Sequence, residues 1–193
     1  MLENNLMTNQ SMKKDFAIAL VLVLAGMILF TAWLGYGLIG NQRPSQNLSL
    51  LNVGETAPPL NAEGWVNGNP HQDQFLDGKV IVVDAWATWC GPCRRAAPHM
   101  VELYKKFKDD NVAFIGLTSD SEEQLPEIKE WLSATGITWP NGYGAYDSLN
   151  AFKAEFIPQV WVIGMDGKIV WNEDSRSAES LEDGIQRALN QIK

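Results

Sequence analysis

The longest apolar pattern in the chain runs from Phe16 to Ile39 (FAIALVLVLAGMILFTAWLGYGLI) without a single charge. As a helix rising about 1.5 Å per residue it would be roughly 36 Å long, enough to span a hydrocarbon core of about 30 Å with some tilt. Lys13 and Lys14 precede it and only Arg43 follows closely. The positive-inside tendency therefore keeps the N-terminus in the cytoplasm. Trp33 and Tyr36 fall near the far end, where amphipathic rings favour the lipid–water interface. A cleaved export signal would have a shorter apolar core, about 7–15 residues, with an A-x-A-like site after it. This run is longer and no convincing site follows, so a retained anchor is favoured over the alternative of cleavage, and no Cys directly follows the run that could carry a lipid. The expected layout is a cytoplasmic N-terminus over 1–15, a single transmembrane anchor over 16–39, a linker over 40–52, and a domain over 53–193. That domain would lie in the periplasm or otherwise outside the cytoplasm, on the surface of the cell membrane.

Beyond the linker, which is polar and carries Pro44, short patterns alternate. Lys79–Ala87 (KVIVVDAWA) is a β-branched apolar run that reads as a buried strand. Cys93–Lys108 has helical spacing, with Ala97, Val101, Tyr104 and Phe107 recurring at three and four. Val112–Leu117 (VAFIGL) is a second buried strand. Glu122–Ala134 reads as a helix closed by Thr135 and Gly136, and Tyr146–Phe152 as a short helix. Gln159–Ile163 and Lys168–Trp171 are two strands joined through Asp166–Gly167, a hairpin turn. Leu181–Gln191 is a final helix. Strand–helix–strand–helix followed by a hairpin and a helix predicts an α/β fold with a mixed central sheet flanked by helices.

Composition narrows the function. The chain has 193 residues and a net charge of −8, and setting aside the N-terminal segment leaves the domain more acidic still. Nucleic acid is not the expected partner, because phosphate binding needs an excess of Lys and Arg. There is no phosphate-binding glycine loop and no nucleophile-elbow serine.

The chemistry concentrates in DAWATWCGPCRRAAP, residues 84–98. Both cysteines of the chain, Cys90 and Cys93, lie here. A C-x-x-C pair beside a βαβ pattern is a redox signature. Cys90 falls at the N-terminal end of a helix, where unpaired N–H groups and the positive end of the helix dipole stabilise a thiolate. Cys93, one turn in, is placed to close a disulfide and release a bound partner. Pro92 has the φ of a helix start, and Gly91 removes bulk beside the attacking sulfur. Four-ligand zinc is not supported by two Cys and two His. A copper relay and a purely structural disulfide remain as alternatives, although so short a loop gains little stability from closure. A peroxidatic P-x-x-x-[TS]-x-x-C pattern is absent, since the residues ending at Cys90 read VDAWATWC.

These residues resemble the active-site segment of thioredoxins, matching WCGPC at Trp89, Cys90, Gly91, Pro92 and Cys93. Asp84 falls where that family has its buried carboxylate, and Pro98 where it has a helix-kinking proline. Ile157–Pro158, followed by QVWVI and the turn MDGKIV, resembles the family's cis-proline loop and hairpin. VGETAPPL (Val53–Leu60), the anchor and the strand-plus-helix insertion resemble the exported, membrane-tethered TlpA/ResA-like branch. Three positions depart. Ala96 stands where many cytochrome-maturation members carry Glu, Gln159 follows the proline where Thr is usual, and VAFIGL offers no Lys near Asp84.

The resemblance implies a thioredoxin fold and a thiol–disulfide oxidoreductase whose nucleophile is Cys90 and whose resolving thiol is Cys93. Asp84 would accept the Cys93 proton, its affinity raised by burial. Pro158 would be cis, with Ile157 backbone groups beside the cysteines to pair with an extended substrate. Trp89, Gly91 and Pro92 would complete the substrate surface. The Gly91–Pro92 dipeptide and Ile157 imply the reducing direction, with a disulfide oxidase or isomerase for exported proteins as the alternative. Implied partners are exported proteins with disulfides, among them those of cytochrome c maturation, and a membrane electron donor of DsbD/CcdA type. No cofactor beyond the Cys90–Cys93 disulfide is expected. Trp86, Trp161 and Trp171 should pack. Trp139 fits packing better than a place in a substrate groove, and His71 and His99 carry no assigned role.

Overall fold

The computed structural model describes residues 20, 22–27, 29–31, 51–71, 76–173 and 179–191. The chain divides into two compact units, Met1–Asn47 and Leu48–Lys193. Of the first unit the described residues, 20, 22–27 and 29–31, are helical and exposed. The rest of the Phe16–Ile39 run lies outside the described residues. Among those described, no helix is long and apolar enough to cross a membrane.

The second unit is built on six strands in the order β1-β4-β3-β2-β5-β6. They are β1 (Gly64–Val66), β2 (Val80–Trp86), β3 (Val112–Thr118), β4 (Asn141–Tyr143), β5 (Gln159–Ile163) and β6 (Ile169–Asn172). The helices are α1 (Gly91–Phe107), α2 (Leu125–Thr135, entered through a 3₁₀ turn at Glu122–Gln124), α3 (Tyr146–Ala151) and α4 (Leu181–Asn190). β2, β3 and β4 run parallel, while β5, β6 and β1 pair antiparallel with their neighbours. The sheet is thus mixed, as the element order predicts, and Gly167 with φ 75° makes the β5–β6 turn.

Strand alternation sorts the core into two layers. Val80, Val82 and Trp86 of β2 join a cluster with α1, α2 and α4, while Val83 and Ala85 join a second with α3, Leu51 and Leu60. Asp84 has the parity of the first face, the one that α1 covers. The buried stripe of α1 is Cys93, Ala97, Met100, Leu103 and Phe107. It is turned from the predicted stripe, because Val101 and Tyr104 are only half-buried at its border.

The two three-residue strands at one edge, β1 and β4, are not in the sequence prediction. They carry GWV and NGY, too short to show alternation and rich in glycine. Trp139, beside β4, is core: it packs against Tyr104 and Phe114 with centroids 5.0 and 5.5 Å away. At the other edge the segment after the linker lies along β6. Gly54 and Ala57 donate to Ile169 and Gly167 carbonyls, each at 2.8 Å, Ile169 donates back to Glu55 at 2.8 Å, and Asn172 Nδ2 donates to the Leu51 carbonyl at 2.6 Å.

Gly116, in the centre of β3, has no room for a side chain. A Cβ there would collide with the Asn141 amide, which accepts from Trp86 Nε1 at 2.9 Å and donates to the Trp139 carbonyl at 2.7 Å. Gly116→Ala is expected to destabilise the domain by about 2–3 kcal/mol through overpacking and loss of that bridge. A urea midpoint unchanged from the wild type would refute this.

Candidate active site

The site lies beyond the C-terminal end of β2, where open α/β sheets place their chemistry. β2 stops at Trp86, whose ring stacks on Trp131 with centroids 4.0 Å apart. The loop that follows is fixed by a buried carboxylate, since Thr88 N–H donates to Asp120 Oδ2 at 2.8 Å. Cys90 N–H then donates to the Ala87 carbonyl at 3.1 Å, and α1 begins.

Cys90 is the N-cap of α1 and its Sγ accepts the Cys93 N–H at 3.1 Å. A backbone donor of the first turn, which has no intrahelical partner, is thereby aimed at the sulfur. No acidic residue occupies that turn, so nothing offsets the positive helix end, which favours a thiolate at Cys90. Helix α1 starts two residues earlier than the spacing predicts: Gly91 opens it and Pro92 takes the second position, where its missing N–H costs nothing. A Cβ on Gly91 would meet only Arg95 Nη1, at 3.7 Å, among residues beyond its chain neighbours. Pro98 lies inside α1 and withholds one helical hydrogen bond.

Cys90 and Cys93 are joined as a disulfide, with Cα atoms 5.3 Å apart. Both are buried, at 3% and 4% exposure, so exposure does not separate their roles. Their surroundings do. Cys93 lines a partly open cavity of about 250 Å³ together with Asp84, Ala96, Pro158 and Glu173. Cys90 is flanked by Trp89, which is 73% exposed.

Asp84 is buried, and its carboxyl is pushed up from 3.8 to about 7. Loss of hydration is the larger cause and the negative charge of Glu173 the second. The cavity has volume for several waters, enough to link Asp84 to Cys93. The Ile157–Pro158 bond is cis. Neither Ile157 N–H nor its carbonyl has a backbone partner among the described residues. Gln159, the next residue but one, starts β5 and is fully buried.

The structure thus brings Cys90, Cys93, Asp84, Ile157 and Pro158 to one end of the sheet, with Trp89, Gly91 and Pro92 on its surface. Sequence reading did not find Glu173, at the end of β6, nor Tyr146 and Phe156. These two and Trp89 are all exposed, and they line a groove of about 470 Å³ beside Ile157. Phe156 had a signal, its place just ahead of Ile157–Pro158; Tyr146 and Glu173 had none. His99 is a surface residue, with Nδ1 4.0 Å from Glu102. His71 is tied into the fold, its Nε2 2.6 Å from the Leu60 carbonyl. Among the described residues no group of three or more His, Cys, Asp or Glu is placed to hold a metal ion.

A helix-capping C-x-x-C disulfide on a mixed α/β sheet, backed by a buried carboxylate, defines a thioredoxin-fold protein of the thiol–disulfide oxidoreductase class. The Redoxin family profile matches residues 52–187, and the chain belongs to that family, on its TlpA/ResA-like side. It is 27% identical over 163 residues to a protein named thiol-disulfide oxidoreductase ResA from Bacillus thuringiensis (strain Al Hakam), covering 82% of this chain and 88% of that one. It is 30% identical over 138 residues to protein FixW of Rhizobium leguminosarum, covering 65% and 62%. Among solved structures, a thiol:disulfide interchange protein of the thioredoxin family from Chlorobium tepidum TLS aligns with a TM-score of 0.56 and 28% identity, over 72% of this chain and 99% of that one. The thioredoxin domain of a thiol-disulfide oxidoreductase from Bacteroides vulgatus aligns at 0.58 and 21% identity, over 74% and 99%, a likeness of fold.

Proposed function

We propose that the protein reduces disulfides of exported proteins, held at the outer face of the membrane by Phe16–Ile39. The observation that carries the redox reading is the cap of α1, with Cys90 Sγ facing a first-turn N–H at 3.1 Å. The reduced protein begins the cycle. The Cys90 thiolate attacks a substrate disulfide; one substrate sulfur leaves as thiolate and the other becomes bonded to Cys90. Asp84 accepts the proton of Cys93 through water in the cavity. The Cys93 sulfur then attacks Cys90 Sγ, the bond from Cys90 to substrate breaks, and the second substrate thiolate departs. Two electrons have passed to the substrate, and Cys90–Cys93 is oxidised. Asp84 returns its proton to solvent.

The substrate lies extended against Ile157, pairing with its open backbone groups. Its flanking apolar side chains rest on Trp89, Tyr146 and Phe156. Gly91 and Pro92 keep the approach to Cys90 low. Recharging needs a dithiol donor, and a membrane protein of DsbD/CcdA type suits a tethered reductase. Exported proteins with disulfides are the substrates, those of cytochrome c maturation among them.

The test is the reduction potential of the full chain in detergent micelles. Glutathione buffers set the poise and thiol trapping reports the reduced fraction. The expected value lies near the thioredoxin end, roughly −270 mV. A value near that of a disulfide donor, roughly −120 mV, would reverse the assigned direction.

A further inference from the structure

The cavity behind Cys93 holds a second carboxylate that the cycle above does not use. Glu173 follows β6 directly, and its N–H donates to the Val160 carbonyl at 3.1 Å. This bond extends the β5–β6 pairing by one residue and fixes where the side chain leaves the sheet. Glu173 then lines the same cavity as Asp84 and Cys93, but is itself exposed. It sits at the mouth, with Asp84 inside.

Among the described residues, the other walls offer no comparable charge. On α1, Ala96 contributes none, and the titratable groups are Cys93 and His99, the latter largely in solvent beside Glu102. Pro158 comes from the loop before β5, Val160 from β5 itself, and Leu181 from α4. The residues paired with Asp84 across the sheet are Gly116 of β3 and Val160 of β5. Among the described residues, Glu173 is therefore the negative side chain of the lining that acts on Asp84.

We propose that Glu173 is a positioning residue for the resolving step, its negative charge across the cavity making Asp84 basic enough to take the proton of Cys93. The inference rests on the reading of Asp84 as proton acceptor. A free thiol holds its proton to about 8.5, so an ordinary carboxylate would be a poor acceptor for it. Burial brings Asp84 most of the way, and the charge of Glu173 adds to it.

The experiment follows oxidation of the reduced full chain by glutathione disulfide in micelles, read by tryptophan fluorescence across pH 5–9. Wild type, Asp84→Asn, Glu173→Gln and Glu173→Asp are compared. Loss of the inflection near neutrality in Asp84→Asn assigns it to Asp84. Glu173→Gln should then move it down by about half a unit or more, roughly a threefold loss of proton affinity, while Glu173→Asp keeps it in place. A uniform fall in rate with an unmoved inflection would mark Glu173 as merely structural and overturn the proposal. So would equal shifts in the Gln and Asp variants, because charge would then not be the cause. An inflection that survives Asp84→Asn would remove the Asp84 reading itself, and this inference with it.

Discussion

Replacing Asp84 by Asn is expected to stabilise the oxidised protein by about 3–4 kcal/mol at pH 8 and to leave it nearly unchanged at pH 4. The cause is a carboxyl kept in the core under protest. Its pKa is raised from 3.8 to about 7 by burial first and Glu173 second, and each unit corresponds to about 1.4 kcal/mol. The folded state binds this proton more tightly than the unfolded chain does. Stability from this group is therefore fully present below pH 3.8 and is lost as pH rises through about 7. Asn keeps the shape without the charge, so the gain builds between pH 3.8 and about 7, where the unfolded chain has released the proton that folded Asp84 still holds, and levels off above that. Guanidinium unfolding of the oxidised protein at the two pH values measures it. A difference that is the same at both would show that Asp84 carries no such linkage. A residue that weakens its own protein at neutral pH invites a functional reason, and the cavity shared with Cys93 supplies one.

Cys93→Ser should abolish turnover while leaving the first attack intact. The variant is expected to accumulate a mixed disulfide through Cys90 and to reduce a protein disulfide at a rate lower by on the order of 10³-fold or more, since resolution would depend on an external thiol instead of one held a helical turn away. Cys90→Ser should form no such adduct. Non-reducing electrophoresis after incubation with an insulin-like disulfide substrate distinguishes them. Adducts through Cys93 in the Cys90→Ser variant, and none in Cys93→Ser, would exchange the two roles. Burial cannot settle this, the two sulfurs being equally covered. The prediction rests on the helix cap at Cys90 and the cavity at Cys93.

Much of this site was readable in the chain because its parts are close in sequence. Cys90, Gly91, Pro92 and Cys93 form one turn, and Asp84 lies on the strand that leads into it. Ile157–Pro158 was legible through resemblance alone, since nothing local fixes a cis bond. Glu173 was not legible: its role depends on the β5–β6 pairing that carries it to the cavity mouth. Tyr146 needed the placement of α3 beside Trp89. The strong strands β2, β3, β5 and β6 declared themselves by β-branched apolar runs. β1 and β4 did not, because three-residue strands take their identity from partners. The α1 stripe was misjudged by part of a turn, since Tyr104 is amphipathic enough to border a core without entering it.

The segment at Gly54–Ala57 has a further consequence for solution behaviour. A terminal strand such as β6 offers unpaired donors and acceptors to any passing chain, and such rims template self-association. Here the protein's own lead occupies that rim from Leu51 to Ala57. The lead works as a built-in gasket, and it keeps neighbouring copies from zipping together along the side of the sheet away from β1.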